Sequence, residues 1–240
     1  MSQRCSSVLE AVRQTILSSV ARLANGQPSG ARRLLDVGCW DGSATREYAA
    51  AFGARALGVE VFDAPASEAR RRDVEVSQID LEVGRFPWPD ESIDLVIANQ
   101  VLEHLKNVWH PMSEMSRVLR PGGWLIVSVP NLASLHNRIL LMLGLQPSSI
   151  RTQGPHVRGF TTGEIVRLVR LGSVFAIEQV RGVGFYPLGV SWAAGPARLW
   201  PAASHTTVVL ARKRPGGALN PWSEYLKGLE TSEPQTFLRG

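Results

Sequence analysis

From residue 33 to residue 129, short apolar runs alternate with stretches of helical periodicity, and this alternation restricts the fold more than any other feature of the sequence. Strands that alternate with helices form βαβ units, and successive units build a mainly parallel sheet. We therefore predict an α/β fold, with a doubly wound, mainly parallel seven-stranded sheet and helices on both of its faces. The candidate strands are 33–37, 56–61, 74–79, 93–98, 124–129, 175–183 and 206–211. The candidate helices between the first five strands are 43–52, 65–72, 100–105 and 109–120.

The segments on either side of this alternation complete the predicted organisation. Apolar residues at three- and four-residue steps predict an amphipathic helix over 7–24. A second apolar helix is predicted over 132–145. The chain is accordingly divided into a cap helix and linker at 1–30, a main domain at 31–214 with an inserted lid at about 132–160, and a flexible tail at 215–240.

The length of 240 residues allows one large domain or two small ones. Apolar residues make up 44% of the chain and charged residues 20%, which excludes a disordered or fibrous protein. The longest apolar run, 139–143, is far shorter than the roughly 18 residues that cross a bilayer. The amino terminus lacks the continuous apolar stretch of a secretory signal, and two cysteines imply no disulfide framework. We therefore expect a cytoplasmic protein.

The net charge of +5 is unevenly distributed, since residues 1–120 carry −2 and residues 121–240 carry +7. A basic half can favour an anionic substrate, an acidic membrane surface or nucleic acid. Of the 26 basic residues, 23 are arginine, and they are spread thinly along the chain. We therefore favour compositional drift over a dedicated anionic partner as the explanation of the basic second half.

Three polar or glycine-rich features lie where successive predicted strands end. The first strand runs into a turn with Gly38 and Gly42, and glycine lets the backbone approach a ligand because it has no Cβ. Glu60 ends the second strand, where a carboxylate can accept hydrogen bonds from both hydroxyls of a ribose. Asp80 follows the third strand, where it can accept one from an adenine amino group. Since the carboxyl ends of parallel strands share one edge of the sheet, the three features together predict an adenosine site.

Two classes of adenosine ligand fit this order, a dinucleotide and S-adenosylmethionine. The turn at 38–42 lacks the G-x-G-x-x-G pattern that brings a helix amino terminus against a pyrophosphate. Asp36 and Asp41 flank the turn, and their charges repel phosphates but suit an ammonium group. S-adenosylmethionine is therefore the favoured cofactor.

Further short motifs continue this order through residues 32–131. The series is Leu35-Asp36-Val37-Gly38-Cys39 with Gly42, then Glu60, Asp80, 86–96, 99–105 and 114–123. It resembles the class I S-adenosylmethionine-dependent methyltransferases, particularly the small-molecule branch that includes the ubiquinone-type O-methyltransferases. The resemblance implies a Rossmann-like fold and methyl transfer. Residues 131–138 and 156–161 also resemble methyltransferases associated with cell-envelope glycans.

The resemblance also implies where the cofactor is held. The methionine part is assigned to the turn after the first strand, the ribose to the end of the second and the adenine to the end of the third. The methyl group should face the acceptor at the end of the fourth strand. Trp40 departs from the small residue of many relatives, and it either packs on the amino-terminal helix or narrows the cofactor mouth. The assigned residues are Asp36, Gly38, Cys39, Trp40, Gly42, Glu60, Val61, Asp80, Leu81, Asn99 and Gln100.

Two histidines, His104 and His156, are the candidate catalytic residues. Gln100, Glu103 and His104 stand at i, i+3 and i+4 of a predicted helix, so their side chains are expected on one face. In ubiquinone-type O-methyltransferases and small-RNA methyltransferases, a similar Glu-x-x-Glu-His group and a downstream histidine bind a divalent metal. Here Gln100 replaces the first glutamate, so a divalent metal is possible but not favoured, and we favour a histidine as general base. The alternative is an ordinary helix whose His104 is satisfied by a carbonyl.

The predicted activity is O-methylation of a small-molecule acceptor, which is a natural product, a sugar or a lipid-linked intermediate. The fourth strand does not end in the Asp/Asn-Pro-Pro-aromatic motif used on base amines, and no zinc finger or RNA-binding motif precedes the domain, so no nucleic-acid partner is expected. Residues 132–205 would supply the acceptor pocket, and the run 139–143 either covers the sheet or contacts a lipid or membrane surface. A non-catalytic S-adenosylmethionine-binding regulatory or partner protein stays open as the alternative. A nucleotide-dependent oxidoreductase would need the missing pyrophosphate turn.

Overall fold

A seven-stranded sheet with helices on both faces forms the body of the protein in the computed structural model. The structure describes residues 3–25, 31–186, 188, 190–216, 221, 222, 224 and 227. The strands are β1 (Arg32–Val37), β2 (Ala54–Val59), β3 (Glu75–Ser77), β4 (Ile93–Asn99), β5 (Leu119–Pro130), β6 (Phe175–Val183) and β7 (Thr206–Lys213). The helices are α1 (Gln3–Ala24), α2 (Ser43–Phe52), α3 (Asp63–Arg71), α4 (Trp109–Val118), α5 (Leu135–Met142), α6 (Thr162–Arg170) and α7 (Val190–Leu199).

The sheet has the strand order β3-β2-β1-β4-β5-β7-β6. Strands β1 to β5 run parallel, and β7 runs antiparallel to both of its neighbours, so β6 points in the same direction as β5. The carboxyl ends of β1, β2, β4, β5 and β6 therefore lie at one edge of the sheet, which we call the carboxyl edge. This topology confirms the predicted doubly wound, mainly parallel sheet, and β6 has the predicted bounds.

Two helical segments differ from the sequence predictions. The predicted helix over 100–105 is wrong, since a single 3-10 turn, Leu102–His104, forms there. Gln100 adopts the left-handed region with a φ of 57°, and its N–H donates to the Ser128 carbonyl at 3.0 Å. This conformation turns the chain before a helix can begin. Helix α7 has no clear sequence signal, because Gly195 and Pro196 interrupt its periodicity.

Each face of the sheet is covered by its own layer of helices. Helix α1 buries Val12, Ile16 and Val20 completely against one face, where α2 contributes Tyr48 and Phe52. Helices α4 and α6 cover the other face. The amino-terminal helix, which the sequence predicts as a cap helix, thus packs into the core of one face.

The chain that follows β5 lies across the carboxyl edge. Asn131 forms an isolated parallel bridge with Phe160, and the Asn131 N–H donates to the His205 carbonyl at 2.8 Å. The N–H groups of Val157 and Arg158 both donate to the Glu103 carbonyl, at 2.9 and 3.1 Å. These bonds hold the insertion over the ends of β4 and β5.

Most of the predicted tail at 215–240 lies outside the described residues. Within it, Trp222 is fully buried, and its Nε1 donates to the Leu168 carbonyl at 2.9 Å. Among the described residues, no helix combines the length and the apolar character needed to cross a bilayer.

Candidate active site

The turn between β1 and α2 lies at the carboxyl edge, and two of its residues are glycines, whose backbone is not covered by a side chain. Gly38 and Gly42 both have a φ of +75°, a conformation that favours glycine. A Cβ on Gly38 would lie 2.6 Å from Val101 Cγ2, and one on Gly42 would lie 2.8 Å from the Ala69 Cβ. The Gly38 N–H donates to the Val59 carbonyl at 2.8 Å, which ties the turn to the end of β2. The sequence therefore needs glycine at both positions for conformation and for space.

Glu60 is buried immediately beyond β2. Its Oε2 accepts a hydrogen bond from the Trp40 N–H and its Oε1 one from the Phe62 N–H, both at 3.0 Å. Across the described parts of the chain, no basic side chain forms an ion pair with this carboxylate. Each carboxylate oxygen keeps a lone pair for another donor, so Glu60 can accept hydrogen bonds from two ligand hydroxyls.

Asp36 is a second buried carboxylate, near the end of β1. Burial raises the pKa of Asp36 to about 7; the hydrogen bond that Thr45 Oγ1 donates at 2.6 Å opposes this shift, and the charge of Glu60 adds to it. Asp36 and Glu60, two buried acids with no ion pair to any described residue, favour a cationic ligand, because a positive charge would offset their mutual repulsion.

An exposed apolar rim borders Glu60. The Trp40 and Phe62 rings meet edge to face at 6.3 Å between centroids, and Val61 is also exposed. Trp40 therefore packs on Phe62 at the exposed rim beside Glu60. Cys39, by contrast, is buried, and burial raises the pKa of its thiol, so the thiol stays protonated.

Asp80 lies on the third side of the site, three residues beyond β3. Its Oδ1 accepts a hydrogen bond from the Glu82 N–H at 2.8 Å, and its carbonyl accepts one from the Gly84 N–H at 2.8 Å. The Asp80 side chain is exposed, and Leu81 beside it is half-buried. This tight loop leaves Asp80 Oδ2 free to accept from a ligand.

Asn99 and Gln100 are tied to the neighbouring strand β5. The Ser128 hydroxyl donates to Asn99 Oδ1 at 2.6 Å, and Gln100 Nε2 donates to the Ser128 hydroxyl at 3.2 Å. The expectation that Gln100 shares one helical face with Glu103 and His104 is therefore wrong, because the left-handed Gln100 precedes a 3-10 turn.

The two candidate histidines lie in contact. The ring centroids of His104 and His156 are 4.8 Å apart, in an edge-to-face arrangement. His104 Nδ1 lies 3.2 Å from the Pro155 carbonyl, and His156 Nδ1 lies 2.8 Å from the Ser149 carbonyl. A carbonyl can only accept, so both Nδ1 atoms carry a proton, and in the neutral form of each ring Nε2 keeps a lone pair. Burial lowers the pKa of His104, and this favours the neutral ring.

The side chain of Glu103 lies close to the histidine pair. It is almost fully buried, neither of its carboxylate oxygens has a hydrogen-bond partner among the described residues, and burial raises its pKa to about 8. One ligand atom each from Glu103, His104 and His156 can be chosen so that all lie within 4.8 Å of one another. A carboxylate with two imidazoles, each fixed through Nδ1 by a carbonyl, is a donor set that fits a divalent cation.

Comparison with known proteins decides between the ligand classes. Residues 35–127 match the family model of the methyltransferase domain. Over 196 residues the chain is 30% identical to a probable S-adenosylmethionine-dependent methyltransferase of Mycolicibacterium smegmatis, covering 81% of this chain and 68% of the relative. The chain belongs to the S-adenosylmethionine-dependent methyltransferases. It is thus a methyltransferase with S-adenosylmethionine as its cofactor, and the oxidoreductase alternative is excluded.

Other similarities agree with this family and with the fold. The methyltransferase is 34% identical over 113 residues to the 27-O-demethylrifamycin SV methyltransferase of Amycolatopsis mediterranei, covering 43% of this chain and 42% of that relative. A solved S-adenosylmethionine-dependent methyltransferase from Mesorhizobium loti has a TM-score of 0.56 at 20% identity, covering 82% of this chain and 98% of that one. The chain thus spans less than half the length of the rifamycin relative.

Several residues that shape the methyltransferase's site were not among those selected from the sequence. Thr45 holds Asp36, Phe62 holds Glu60 through its N–H, and Ser128 links Asn99 to Gln100. Thr45 could have been predicted, because a hydroxyl residue in the first turn of the helix after a glycine loop is a recognisable sequence pattern. No local pattern points to Ser128, because it acts across two strands.

Proposed function

We propose that this methyltransferase transfers the methyl group of S-adenosylmethionine to a hydroxyl oxygen of a small molecule, such as a natural product, a sugar or a lipid-linked intermediate. The observation that carries the proposal is the pair of imidazoles, His104 and His156, whose Nε2 lone pairs are left free. A neutral imidazole is a suitable acceptor for a hydroxyl proton near neutral pH. The name of the rifamycin relative describes methylation on oxygen, which supports the same chemistry here.

In the proposed reaction, the acceptor oxygen attacks the sulfonium methyl. A carbon–oxygen bond forms while the carbon–sulfur bond breaks, and its electron pair stays on sulfur to give S-adenosylhomocysteine. The hydroxyl proton passes to Nε2 of His104 or His156. Alignment of the two reactants supplies most of the rate gain in such a transfer, so the segments that enclose the site matter as much as the base.

We place the cofactor along the carboxyl edge of the sheet. In this proposal Asp36 faces the cationic methionine part, Glu60 accepts from the ribose and the Val61 side chain packs on the adenine. Asp80 and the Leu81 backbone frame the adenine amino group. Gly38, Cys39, Trp40 and Gly42 form the turn beneath the cofactor, and Asn99 and Gln100 border the methyl group.

Substitution of each histidine tests the base. We expect His104→Ala or His156→Ala to lower kcat while the dissociation constant of S-adenosylmethionine, measured by calorimetry, stays within about twofold. General-base catalysis typically contributes roughly 10²–10⁴-fold, so a loss in this range is expected for the residue that takes the proton. Unchanged turnover in both variants would remove the base from the mechanism.

A divalent cation held by Glu103, His104 and His156 is the second candidate. The buried, unpartnered carboxylate of Glu103 supports it, because a general base alone gives Glu103 no role. A bound dication would lower the pKa of the acceptor hydroxyl. Calorimetric titration with Mn²⁺ measures the site directly, and Glu103→Gln should abolish that binding. Full activity after exhaustive chelation would favour the metal-free base.

The acceptor side of the protein also supports a contact with lipid. Residues in the run 139–143 do not cover the sheet, since Met142 is 78% exposed and Leu141 is also exposed. Arg138 stacks on the Trp200 ring at 5.6 Å, so the carboxyl end of α7, which carries the exposed Leu199, lies near this run, and Trp192 of the same helix is also exposed. Their spacing of seven residues puts Trp192 and Leu199 on one side of α7.

The charge of these segments suits an anionic lipid surface. Residues 131–163 contain three arginines and no acidic residue, and residues 182–205 contain Arg198 and no acidic residue. Exposed apolar side chains with basic neighbours are typical of proteins that bind at a membrane interface. We therefore propose peripheral binding to anionic membranes, with the cytoplasm still the predicted compartment.

Vesicle co-sedimentation tests this contact without any methyl transfer. We expect binding to vesicles that contain phosphatidylglycerol and little binding to pure phosphatidylcholine. Met142→Asp should reduce binding several-fold, whereas Val83→Asp, which changes an equally exposed apolar residue elsewhere, should not. Equal binding by both variants would contradict the proposal.

A further inference from the structure

A cavity of about 530 Å³ lies between α1, α7 and β6, away from the cofactor turn. Thr15 of α1, Gln179 and Arg181 of β6, and Arg198 of α7 line it. The α7 wall also has two alanines, Ala194 and Ala197, and these small side chains leave the space open. The cavity is therefore large enough for a group the size of a phosphate or a diphosphate, and nothing in the proposed methyl transfer uses it.

Two arginines line this cavity, and a third contacts a residue of its wall. Arg181 and Arg198 are in its wall, and Arg22 donates to Gln179 Oε1 at 3.2 Å. Burial, together with the positive charges of Arg22 and Arg198, lowers the pKa of Arg181. Arg22 and Arg198 are thus each close enough to repel Arg181, and an anion bound beside Arg181 would relieve that repulsion.

No counter-charge is supplied by the described part of the protein. No carboxylate is among the described residues that line the cavity, and neither Arg181 nor Arg198 has an ion pair with any described residue. Other arginines of this chain are neutralised, since Arg13 pairs with Glu10 and Arg117 pairs with Glu114. The cavity is therefore a place where the chain accumulates positive charge without compensating it.

We propose that this cavity is a binding site for a phosphate or diphosphate group. Arginine is well suited to this ligand, because its planar guanidinium donates two parallel hydrogen bonds to a tetrahedral oxyanion. Gln179 also lines the cavity, and its side-chain NH₂ can donate to the ligand because Arg22 binds only its Oε1, whereas the Thr15 hydroxyl donates to the Ala11 carbonyl at 2.8 Å.

The position of the cavity relates it to methyl transfer. Gly184, which follows β6 at the carboxyl edge, lines the cavity, and its carbonyl accepts a hydrogen bond from the His205 N–H at 2.8 Å. Three strand spacings separate β6 from β4, which corresponds to roughly 14 Å. A phosphate held here could belong to a methyl acceptor that reaches the histidine pair, and this use rests on the proposed function. The binding of phosphate itself does not.

Calorimetric titration with sodium pyrophosphate, at constant ionic strength set by chloride, tests the site without turnover. We expect saturable binding by the wild type. The dissociation constant of pyrophosphate should rise by about tenfold or more in Arg181→Gln and in Arg198→Gln, since each removes a charged hydrogen bond. Arg167→Gln is the matched control, because it removes an exposed arginine of α6 outside the cavity, and it should bind as the wild type does. Equal thermal stability of the variants without ligand would show that all of them are folded.

Two further arms complete the test. Ala194→Asp places a carboxylate in the cavity wall and should abolish binding even if the arginine variants retain some. A water-soluble short-chain phosphatidic acid distinguishes the source of the phosphate, because binding of this lipid alone, lost in Arg181→Gln, would assign the site to a lipid headgroup. Pyrophosphate binding that resists all three cavity variants, or no binding of either ligand, would overturn the proposal.

Discussion

Replacement of Glu60 by glutamine should separate the role of this carboxylate in the loop from its role in the cofactor site. Each Glu60 oxygen accepts one backbone N–H at 3.0 Å. A glutamine amide can accept only one of them, and its NH₂ would then face the other donor. The loss of one hydrogen bond to a charged group corresponds to about 1.5–3 kcal/mol, or a fall in Tm of about 3–12 °C for a chain of this size.

The same change should weaken cofactor binding. The carboxylate is expected to accept from two ribose hydroxyls, and the variant loses one acceptor and the negative charge near a cationic ligand. A loss of about 1.5–3 kcal/mol raises the dissociation constant of S-adenosylmethionine roughly 10- to 150-fold, as calorimetry would measure. Glu75→Gln is the control, since Glu75 forms an exposed ion pair with Arg55 and should change either quantity very little.

A double-mutant cycle identifies the ribose contact itself. The wild type should prefer S-adenosylhomocysteine over its 2′-deoxy analogue, and Glu60→Gln should lose most of that preference. If the variant binds both ligands as the wild type does while its Tm falls, Glu60 only holds the loop. The assignment of the ribose to Glu60 would then be wrong.

Three further outcomes are expected. Because burial raises the pKa of Asp36 to about 7, the folded protein holds this proton more tightly than the unfolded chain, and the contribution of Asp36 to stability is lost as the pH rises from about 4 to 7. Calorimetry should therefore show affinity for the cationic cofactor increasing with pH through about 7 in the wild type, but not in Asp36→Asn. Gly38→Ala should abolish cofactor binding, whereas Gly53→Ala, with a similar φ of +65° but with its nearest neighbour, the Arg32 side chain, at 4.0 Å, should lower only the Tm. Ile16→Ala should destabilise the protein by about 2–5 kcal/mol in urea unfolding, because α1 belongs to the core, and a variant as stable as the wild type would contradict that position.

The sheet and its carboxyl edge could be predicted from the sequence because local sequence patterns specify them. The buried strands are short apolar runs, and Glu60 is conspicuous because it ends such a run. The glycines at 38 and 42 are needed by the backbone of one turn, so a short pattern contains the information.

The proposed catalytic region could be predicted less well from the sequence because tertiary contacts build it. Gln100 takes a left-handed conformation that no helical pattern foretells. His156 reaches His104 through a loop that is held by the Glu103 carbonyl, across more than fifty residues of chain. The missing partners of the Glu103 carboxylate among the described residues are likewise a property of packing, whereas the resemblance already implied that Glu103, His104 and a downstream histidine could hold a metal.

Transfer of a ¹³C-labelled methyl group tests the central claim most directly. The purified protein would be incubated with labelled S-adenosylmethionine and the lipid and small-molecule extract of its source cells, and NMR would identify the atom that carries the label. The account predicts a labelled methyl on oxygen, formed by the wild type and reduced in the His104→Ala and His156→Ala variants. A label on nitrogen or carbon, or undiminished product from both variants, would contradict it.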